Sequence, residues 1–188
     1  MAGSHQSLKG QFLLDGGKLK GSFFHRTVVL VCQHDPEGAF GLVLNKPLGK
    51  PAEELIPEDL PASIKSEEIF LGGPVQPSAL TFLHTYGGKS AAAPPVFDHL
   101  RLGHSLEELV EIGERKGTSA RLRLFAGYAG WSPMQLDNEM KRGSWLTYPA
   151  NVELMFETPP DELWKRVLKL KGWRFELLAQ APEDDSLN

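Results

Sequence analysis

The segment at residues 125–149, which reads FAGYAGWSPMQLDNEMKRGSWLTYP, constrains the fold more strongly than any other part of the chain. Its glycines and aromatic residues predict a tight turn over residues 127–131, at the end of a strand. Ser132 and Gln135 have the spacing of a capping box, which predicts a helix beginning there. A second strand is predicted at residues 145–148. This succession brings backbone and aromatic side chains together, as a binding or junction site would.

The rest of the chain contains both hairpin and helix patterns. Residues 27–33 are β-branched and apolar, and residues 39–45 follow them after an Asp-Pro-Glu-Gly turn, which predicts a buried hairpin. Helices are predicted to begin after Ser105 and at Pro159. Because hairpins come first and strands mixed with helices follow, the sequence indicates an α+β fold. Further strands are predicted at residues 10–18, 68–71, 80–85, 120–126 and 152–156.

The length and composition fit one domain. The 188 residues are 41% hydrophobic and 23% charged, near the average for a globular chain that buries a core. We expect a single domain over residues 1–188, with an ordered core over about residues 8–180. The acidic residues 181–188 are expected to form a disordered tail.

The charge and the cysteine content limit the partners and the compartment. A net charge of −4 argues against a nucleic-acid or anionic-membrane partner, although a local basic patch stays open. No apolar run approaches the roughly 20 residues that span a bilayer, and residues 1–10 lack the pattern of a secretory signal. The single cysteine, Cys32, cannot form an internal disulfide, so we expect a cytoplasmic protein.

The sequence contains only incomplete catalytic motifs. Residues 130–132, Gly-Trp-Ser, have the form of a nucleophile elbow, but Pro133 has no N–H for an oxyanion hole and no histidine follows. The serine is therefore expected to cap a helix. Cys32, His25 and His34 are too few for a closed metal site. We expect no metal and no cofactor, and whether the protein is an enzyme stays open, with a non-enzymatic role favoured.

Four segments resemble the AlgH/YqgE family of bacterial proteins. They are residues 23–49 (FFHRTVVLVCQHDPEGAFGLVLNKPLG), 71–77 (LGGPVQP), 127–146 (GYAGWSPMQLDNEMKRGSWL) and 153–172 (ELMFETPPDELWKRVLKLKG), in the family's order. One departure is Met134, where relatives usually have glycine. The resemblance implies a single α+β domain whose bifurcated sheet, mixed or antiparallel, folds into a pseudo-barrel with peripheral helices. It implies no established reaction, and some relatives carry the label of transcriptional regulator.

We expect one binding cleft where glycine-rich turns and strand ends meet. Asn45 and Lys46 would provide a donor and a positive charge, and consecutive glycine N–H groups would bind an anion. Aromatic rings there would stack on a planar group. The alternative is that the glycines only permit tight turns and the rings fill the core. The predicted ligand-binding residues are Asn45, Lys46, Gly72, Gly73, Gly127, Tyr128, Gly130 and Trp131.

The sequence therefore predicts a binding or regulatory module that acts on an unknown small molecule or protein partner. Two alternatives from other classes stay open. One is a transcriptional regulator that acts directly on DNA, although no recognition-helix motif is found. The other is a hydrolase or transferase that uses His34 or Ser132 at the predicted cleft. No membrane partner is expected, and the sequence does not give the oligomeric state.

Overall fold

The computed structural model describes residues 6–87, 94–115 and 120–181, so that the predicted tail beyond residue 181 lies outside the described residues. Within these ranges the chain forms nine strands and seven helices. The strands are β1 (Gln11–Asp15), β2 (Val28–Asp35), β3 (Gly38–Val43), β4 (Pro47–Pro51), β5 (Glu68–Leu71), β6 (Val75–His84), β7 (Arg101–Gly103), β8 (Leu122–Trp131) and β9 (Trp145–Pro149). The helices are α1 (Ala52–Leu55), α2 (Ala62–Lys65), α3 (Leu106–Arg115), α4 (Gln135–Lys141), α5 (Val152–Glu157), α6 (Pro160–Lys171) and α7 (Trp173–Gln180).

The sheet forks at β8, because this strand pairs with three others. The main path runs β4-β5-β8-β3-β2-β1-β9, and β6, which also pairs with β7, branches from β8. Strand β5 pairs with residues 124–126 of β8 in parallel, and β3 pairs with residues 129–131 in antiparallel orientation. The two ends of the path, β4 and β9, are not joined among the described residues, so the sheet is not a closed barrel. The predicted bifurcated α+β sheet is confirmed.

The predicted first strand and hairpin are also confirmed. Strands β2 and β3 are antiparallel, and Glu37 N–H donates to Asp35 Oδ1 at 2.8 Å in the turn between them. Strand β1 lies between β2 and β9 and is antiparallel to both. Every side chain from Phe12 to Asp15 is buried, because the two faces of this part of the sheet are both covered.

Three hydrophobic clusters cover the two branches. The first packs α5 and α6 against β1, β2 and β3, and it includes Trp164 and Leu168. The second packs α1, α2 and α3 against β5, β6 and β8. The third lies on the opposite face of β1 and β2 and contains Trp131, Leu136 and Trp145. Burial of these apolar side chains is the main force that holds the branches in place.

The prediction of a turn over residues 127–131 is wrong, because these residues continue β8. Gly127 has a φ of +71°, which bends the strand without ending it. The prediction that Ser132 caps helix α4 is wrong, because α4 begins at Gln135 and its N-cap residue, Met134, makes no side-chain cap hydrogen bond. Met134 has a φ of +61° at this position, and the predicted partners Ser132 and Gln135 lie just before and inside the helix. The predicted pairing between these two side chains nevertheless forms, since Gln135 Oε1 accepts hydrogen bonds from the Ser132 N–H and hydroxyl.

Other differences follow from caps and from pairing. The strand predicted at residues 152–156 is wrong because this segment forms α5, whose first turn is capped by the Asn151 side chain accepting from Leu154 N–H at 2.9 Å. Helix α3 is confirmed, and Ser105 Oγ accepts from Glu108 N–H at 3.2 Å. Helix α6 is confirmed with its start at Pro160. The sequence patterns do not predict β4, β7 or α7.

Candidate functional site

The glycines of the predicted cleft lie at the fork of the sheet. Gly72 follows β5, donates its N–H to Ala126 O at 2.9 Å and accepts the Val43 N–H at 2.8 Å. It therefore bridges β8 and the end of β3 at the point where the branches separate. Gly73 and Gly127 lie beside it. We call Gly72, Gly73 and Gly127 the fork glycines.

The fork glycines leave no room for side chains. A Cβ atom at Gly73 would lie 2.0 Å from the carbonyl carbon of Tyr128, and one at Gly72 would lie 2.3 Å from Gly127 O. A Cβ atom at Gly127 would lie 2.6 Å from Gly73 O. The backbones thus touch one another directly, and this contact favours a role for these glycines in joining the strands.

Asn45 and Lys46 make their contacts within the protein. The Asn45 amide accepts from Val28 N–H and donates to Arg26 O, both at 2.9 Å. The Lys46 ammonium lies 4.2 Å from the centre of the Phe23 ring, which is a cation–π distance. Burial lowers the pKa of Lys46 below its ordinary value. These two residues fasten the segment after β3 to the loop before β2.

Trp131 belongs to a buried aromatic cluster. Its side chain is 7% exposed, and its ring lies 6.5 Å from Phe24 and 6.3 Å from Trp145 between centres. Glu139 Oε2 accepts hydrogen bonds from both indole N–H groups, at 2.9 Å from Trp131 and 2.8 Å from Trp145. One carboxylate therefore fixes α4 to the ends of β8 and β9.

Tyr128 and Gly130 complete the set of predicted residues. The Tyr128 ring is half-buried and lies 5.0 Å from the ring of Phe40, while Gly130 is exposed. A shallow hollow of about 190 Å³ lies between the β2–β3 turn and Trp131. The structure thus brings the fork glycines and Tyr128 together, whereas the Asn45 and Lys46 side chains turn toward the loop before β2 and Trp131 turns toward α4.

A larger apolar pocket adjoins the fork on the branch formed by β4, β5, β8 and β6. We call it the fork pocket, and it has a volume of about 390 Å³. Helix α1 forms one wall, and the start of β6 forms another. Its lining includes Leu48, Leu55, Leu71, Ser78, Ala79, Leu80 and Ala126.

The fork pocket exists because a small residue lies between two leucines. Leu71 and Leu80 both pair with Ala126, from opposite edges of β8, so that the three side chains share one face of the sheet. The next row on this face is buried under α1, α2 and α3, whereas the row at Ala126 is only partly buried. The ladder between β6 and β8 is interrupted from Val75 to Leu80, which widens the opening.

Sequence reasoning missed the fork pocket because its lining comes from separate segments that are not adjacent in the chain. The sequence contains one signal for this pocket, because two lining residues directly precede fork glycines. Leu71 directly precedes Gly72, and Ala126 directly precedes Gly127. Ala126 precedes Gly127, where β8 bends, and it pairs with Leu71 on one side and Leu80 on the other. This pattern can be recognised only when the strand pairing is known.

His34 and Ser132, the residues of the hydrolase or transferase alternative, form hydrogen bonds with different partners. His34 Nδ1 accepts the Leu8 N–H at 3.1 Å, and its Nε2 lies 3.3 Å from Asp137 Oδ2. The Ser132 hydroxyl donates to Gln135 Oε1 at 3.1 Å. Burial raises the pKa of the Cys32 thiol far above its ordinary value, which disfavours the reactive thiolate. This geometry provides no pairing of a nucleophile with a base at these residues.

Over residues 6–87, 94–115 and 120–181, no group of three or more His, Cys, Asp or Glu residues could hold a metal ion. No helix within the same part of the chain combines the length and the apolar character needed to cross a bilayer.

Sequence comparison places the chain among related bacterial proteins. A family model described as AlgH-like matches residues 12–176. A UPF0301 protein of Chlamydia muridarum is 36% identical over 186 residues, which cover 96% of this chain and 95% of that protein. A UPF0301 protein of Chlorobium luteolum is 34% identical over 182 residues, which cover 95% and 94% of the two chains.

Two solved structures resemble the whole chain. The solution structure of AlgH from Pseudomonas aeruginosa has a TM-score of 0.75 and 30% identity, and the match covers 97% of this chain and 98% of that one. A crystal structure of a protein from Corynebacterium diphtheriae has a TM-score of 0.77, covers 94% of each chain and, at 23% identity, supports the fold alone. The family match over residues 12–176 and these relatives show that the chain belongs to the AlgH-like family.

Proposed function

We propose that this protein is a binding module that takes up a small molecule with an apolar body in the fork pocket. The observation that carries the proposal is a volume of about 390 Å³ lined mainly by aliphatic side chains beside the fork. Small-molecule sites have volumes of about 300–1,000 Å³ and are lined mostly by apolar groups. Removal of the ligand's apolar surface from water would drive binding.

The rim of the fork pocket supports a ligand that also carries one polar group. Ser78, which belongs to the lining, carries a hydroxyl, and the ladder between β6 and β8 is interrupted before Leu80. The ligand chemistry proposed here is therefore an aliphatic chain or ring with a single polar end. This differs from the planar or anionic ligand expected from the sequence, because aliphatic side chains dominate the lining.

Among the predicted site residues, the fork glycines contribute to the fork pocket through their backbone. The fork glycines set the spacing of β5 and β8, and this spacing places Leu71 and Ala126 on the floor of the pocket. A regulatory role would follow if ligand uptake changed the surface that a partner protein recognises. We include a cytoplasmic location in the proposal, supported by the single, buried cysteine.

The test is a thermal-shift titration with 1-decanol, decanoate and cyclohexanol as defined probes. A probe at 100 times its dissociation constant adds about 2.7 kcal/mol of stability. For a chain of this size, 1 kcal/mol corresponds to roughly 2–4 °C, so the melting temperature should rise by roughly 5–11 °C. The variant Ala126→Leu fills the floor of the pocket and should abolish the shift.

Ala62→Leu is the matched control, because Ala62 is exposed on α2 and receives the same added atoms outside the pocket. It should retain the full shift. If Ala126→Leu lowers the melting temperature of the free protein, Ala79→Leu narrows the same pocket from the β6 side. The absence of a shift with every probe, or equal shifts in wild type and both pocket variants, would contradict the proposal.

The two alternatives carried from the sequence have weaker geometric support. A hydrolase using His34 or Ser132 would need these side chains to leave the partners they contact in the structure. A regulator acting directly on DNA would bind through basic residues, and its binding would weaken steeply as salt rises. Short duplex DNA is therefore included in the titration, and a shift with DNA alone would favour that alternative.

A further inference from the structure

The outer surface of α6 and α7 carries three exposed apolar side chains. Trp173 is 72% exposed, Leu177 is 68% exposed and Leu170 is 52% exposed. The other three tryptophans of the chain are all buried, at 7% exposed or less. Leu170 lies in the last turn of α6, whose C-cap residue is Gly172 with a φ of +130°. Trp173 and Leu177 lie one turn apart on α7. An exposed tryptophan one helical turn from an exposed leucine is a candidate interaction surface.

Four exposed cations lie on the same two helices as these apolar side chains. They are Lys165, Arg166, Lys169 and Arg174. Among the described residues, none of the four has a carboxylate within ion-pair distance. The opposite sides of the two helices are buried in the core. The Arg174 guanidinium lies 5.6 Å from the centre of the Trp173 ring. The surface therefore combines positive charge that is not ion-paired with apolar groups, and we call it the α6–α7 face.

We propose that the α6–α7 face binds the surface of a membrane that contains anionic lipids. Interfacial helices of this kind place basic residues on the polar side and Trp and Leu at the headgroup–acyl boundary. The tryptophan ring suits that boundary because it has an apolar body and a polar N–H. Each Lys or Arg near such a surface adds to the attraction. This peripheral contact is distinct from spanning a bilayer.

The charge of the α6–α7 face is opposite in sign to the net charge of the whole chain. The net charge of the protein is −4, but residues 160–181, which include α6 and α7, contain five Lys or Arg and three Asp or Glu, which gives +2. Asp161 and Glu162 lie in the first turn of α6, and Glu162 lines the same surface hollow as Lys165, Arg166 and Lys169. By sequence, three further carboxylates follow at residues 183–185 and would oppose binding to an anionic surface.

Two other occupants fit the α6–α7 face less well. In a twofold dimer the same patch faces itself, so a second copy would place these four cations opposite an identical set. Nucleic acid would match the positive charge but would leave the exposed leucines without an apolar partner. An anionic lipid surface provides negative charge for the basic side chains and an apolar layer for the exposed tryptophan and leucines.

The experiment measures binding of the full chain to vesicles of phosphatidylcholine, alone or with 30 mol% phosphatidylglycerol (a composition of about one anionic lipid in three). We expect flotation only with the anionic vesicles, and weaker flotation as salt rises. Because Trp173 is the exposed tryptophan, acrylamide quenching of the intrinsic fluorescence should fall when vesicles bind. The change in quenching reports directly on Trp173, which belongs to the α6–α7 face.

Variants on the exposed surface keep the fold and separate the contributions. Lys169→Glu should weaken binding by roughly fivefold or more, and Trp173→Ser should remove the quenching change and most of the flotation. Lys141→Glu is the matched control, because Lys141 is an exposed lysine on α4 and its reversal should leave binding within about twofold. A chain ending at Ala181 should bind more tightly, since it lacks the three following carboxylates.

Several results would overturn this inference. They are equal binding to both vesicle types, equal loss in Lys141→Glu and Lys169→Glu, and binding to duplex DNA without binding to vesicles. A concentration-dependent dimer that Trp173→Ser converts to a monomer would assign the α6–α7 face to a second copy instead. The outcome is independent of the fork pocket, because Ala126→Leu does not alter this surface.

Discussion

Replacement of Gly127 by alanine tests whether the fork depends on direct backbone contact. Gly127 has a φ of +71°, and an added Cβ would lie 2.6 Å from Gly73 O and 3.0 Å from Val75 O. The left-handed conformation costs a residue with a side chain about 1–2 kcal/mol. Overpacking typically costs about 1–3 kcal/mol, and here the neighbours are backbone atoms with little freedom to move. Gly127→Ala should therefore lower the free energy of unfolding by about 2–5 kcal/mol.

Gly49→Ala is a matched control for this prediction. Gly49 has nearly the same φ, +72°, but nothing lies within 4 Å of its added Cβ. It should lose only the conformational part, about 1–2 kcal/mol. The effect of alanine on the unfolded chain is similar at both positions and cancels in the difference. The excess loss in Gly127→Ala, about 1–3 kcal/mol, thus measures the contact at the fork.

Urea denaturation followed by far-ultraviolet circular dichroism gives both free energies, provided that the slope with denaturant is unchanged. In thermal unfolding, the loss in Gly127→Ala corresponds to a melting temperature lower by roughly 4–20 °C. Equal losses in Gly127→Ala and Gly49→Ala would refute the reasoning. That result would mean that the strands at the fork can separate enough to accept a methyl group at no cost.

Three further predictions concern polar groups that are buried or partly buried. The Cys32 thiol, whose pKa is raised by burial, should react with a thiol reagent at pH 8 far more slowly in the folded protein than in urea, and equal rates would contradict its burial. The pKa of His84 is lowered chiefly by burial, so the unfolded state takes up protons first and stability should fall as pH decreases through about 6.5. His84→Gln should reduce that decrease between pH 7.5 and 5.5, and an unchanged pH profile would refute the assignment. Glu139→Gln leaves two indole N–H groups without a charged acceptor and should cost roughly 1–3 kcal/mol in urea denaturation, whereas a neutral result would show that these bonds add no stability.

Local patterns predicted the elements whose cause is local. The β2–β3 hairpin follows from two apolar β-branched runs around an Asp-Pro-Glu-Gly turn, and the turn forms with Asp35 as acceptor. Helix α3 follows from Ser105 and its spacing to Glu108. In contrast, the apolar run at residues 152–156 fits a strand by composition, and the Asn151 cap together with packing on the core makes it a helix.

The fork could not be predicted from local patterns, because it depends on which strands pair. The Gly-Tyr-Ala-Gly-Trp run is compatible with a turn, and it forms part of a strand because β3 pairs with residues 129–131. The candidate site likewise has a part that local sequence indicates and a part that depends on strand pairing. The fork glycines lie at a junction of strands, and their role in ligand binding stays a prediction. The fork pocket depends on Leu71 and Leu80 meeting Ala126 from opposite edges of β8.

The measurement that tests the central proposal most directly is a methyl-detected NMR titration with 1-decanol on protein labelled at Leu, Val and Ala methyl groups. The proposal predicts saturable shifts centred on Leu48, Leu71, Leu80 and Ala126, which line the fork pocket. It also predicts that these shifts disappear in Ala79→Leu and persist in Ala62→Leu. Shifts centred instead on the α6–α7 face or on the hollow beside Trp131, or no saturable shift at all, would contradict it.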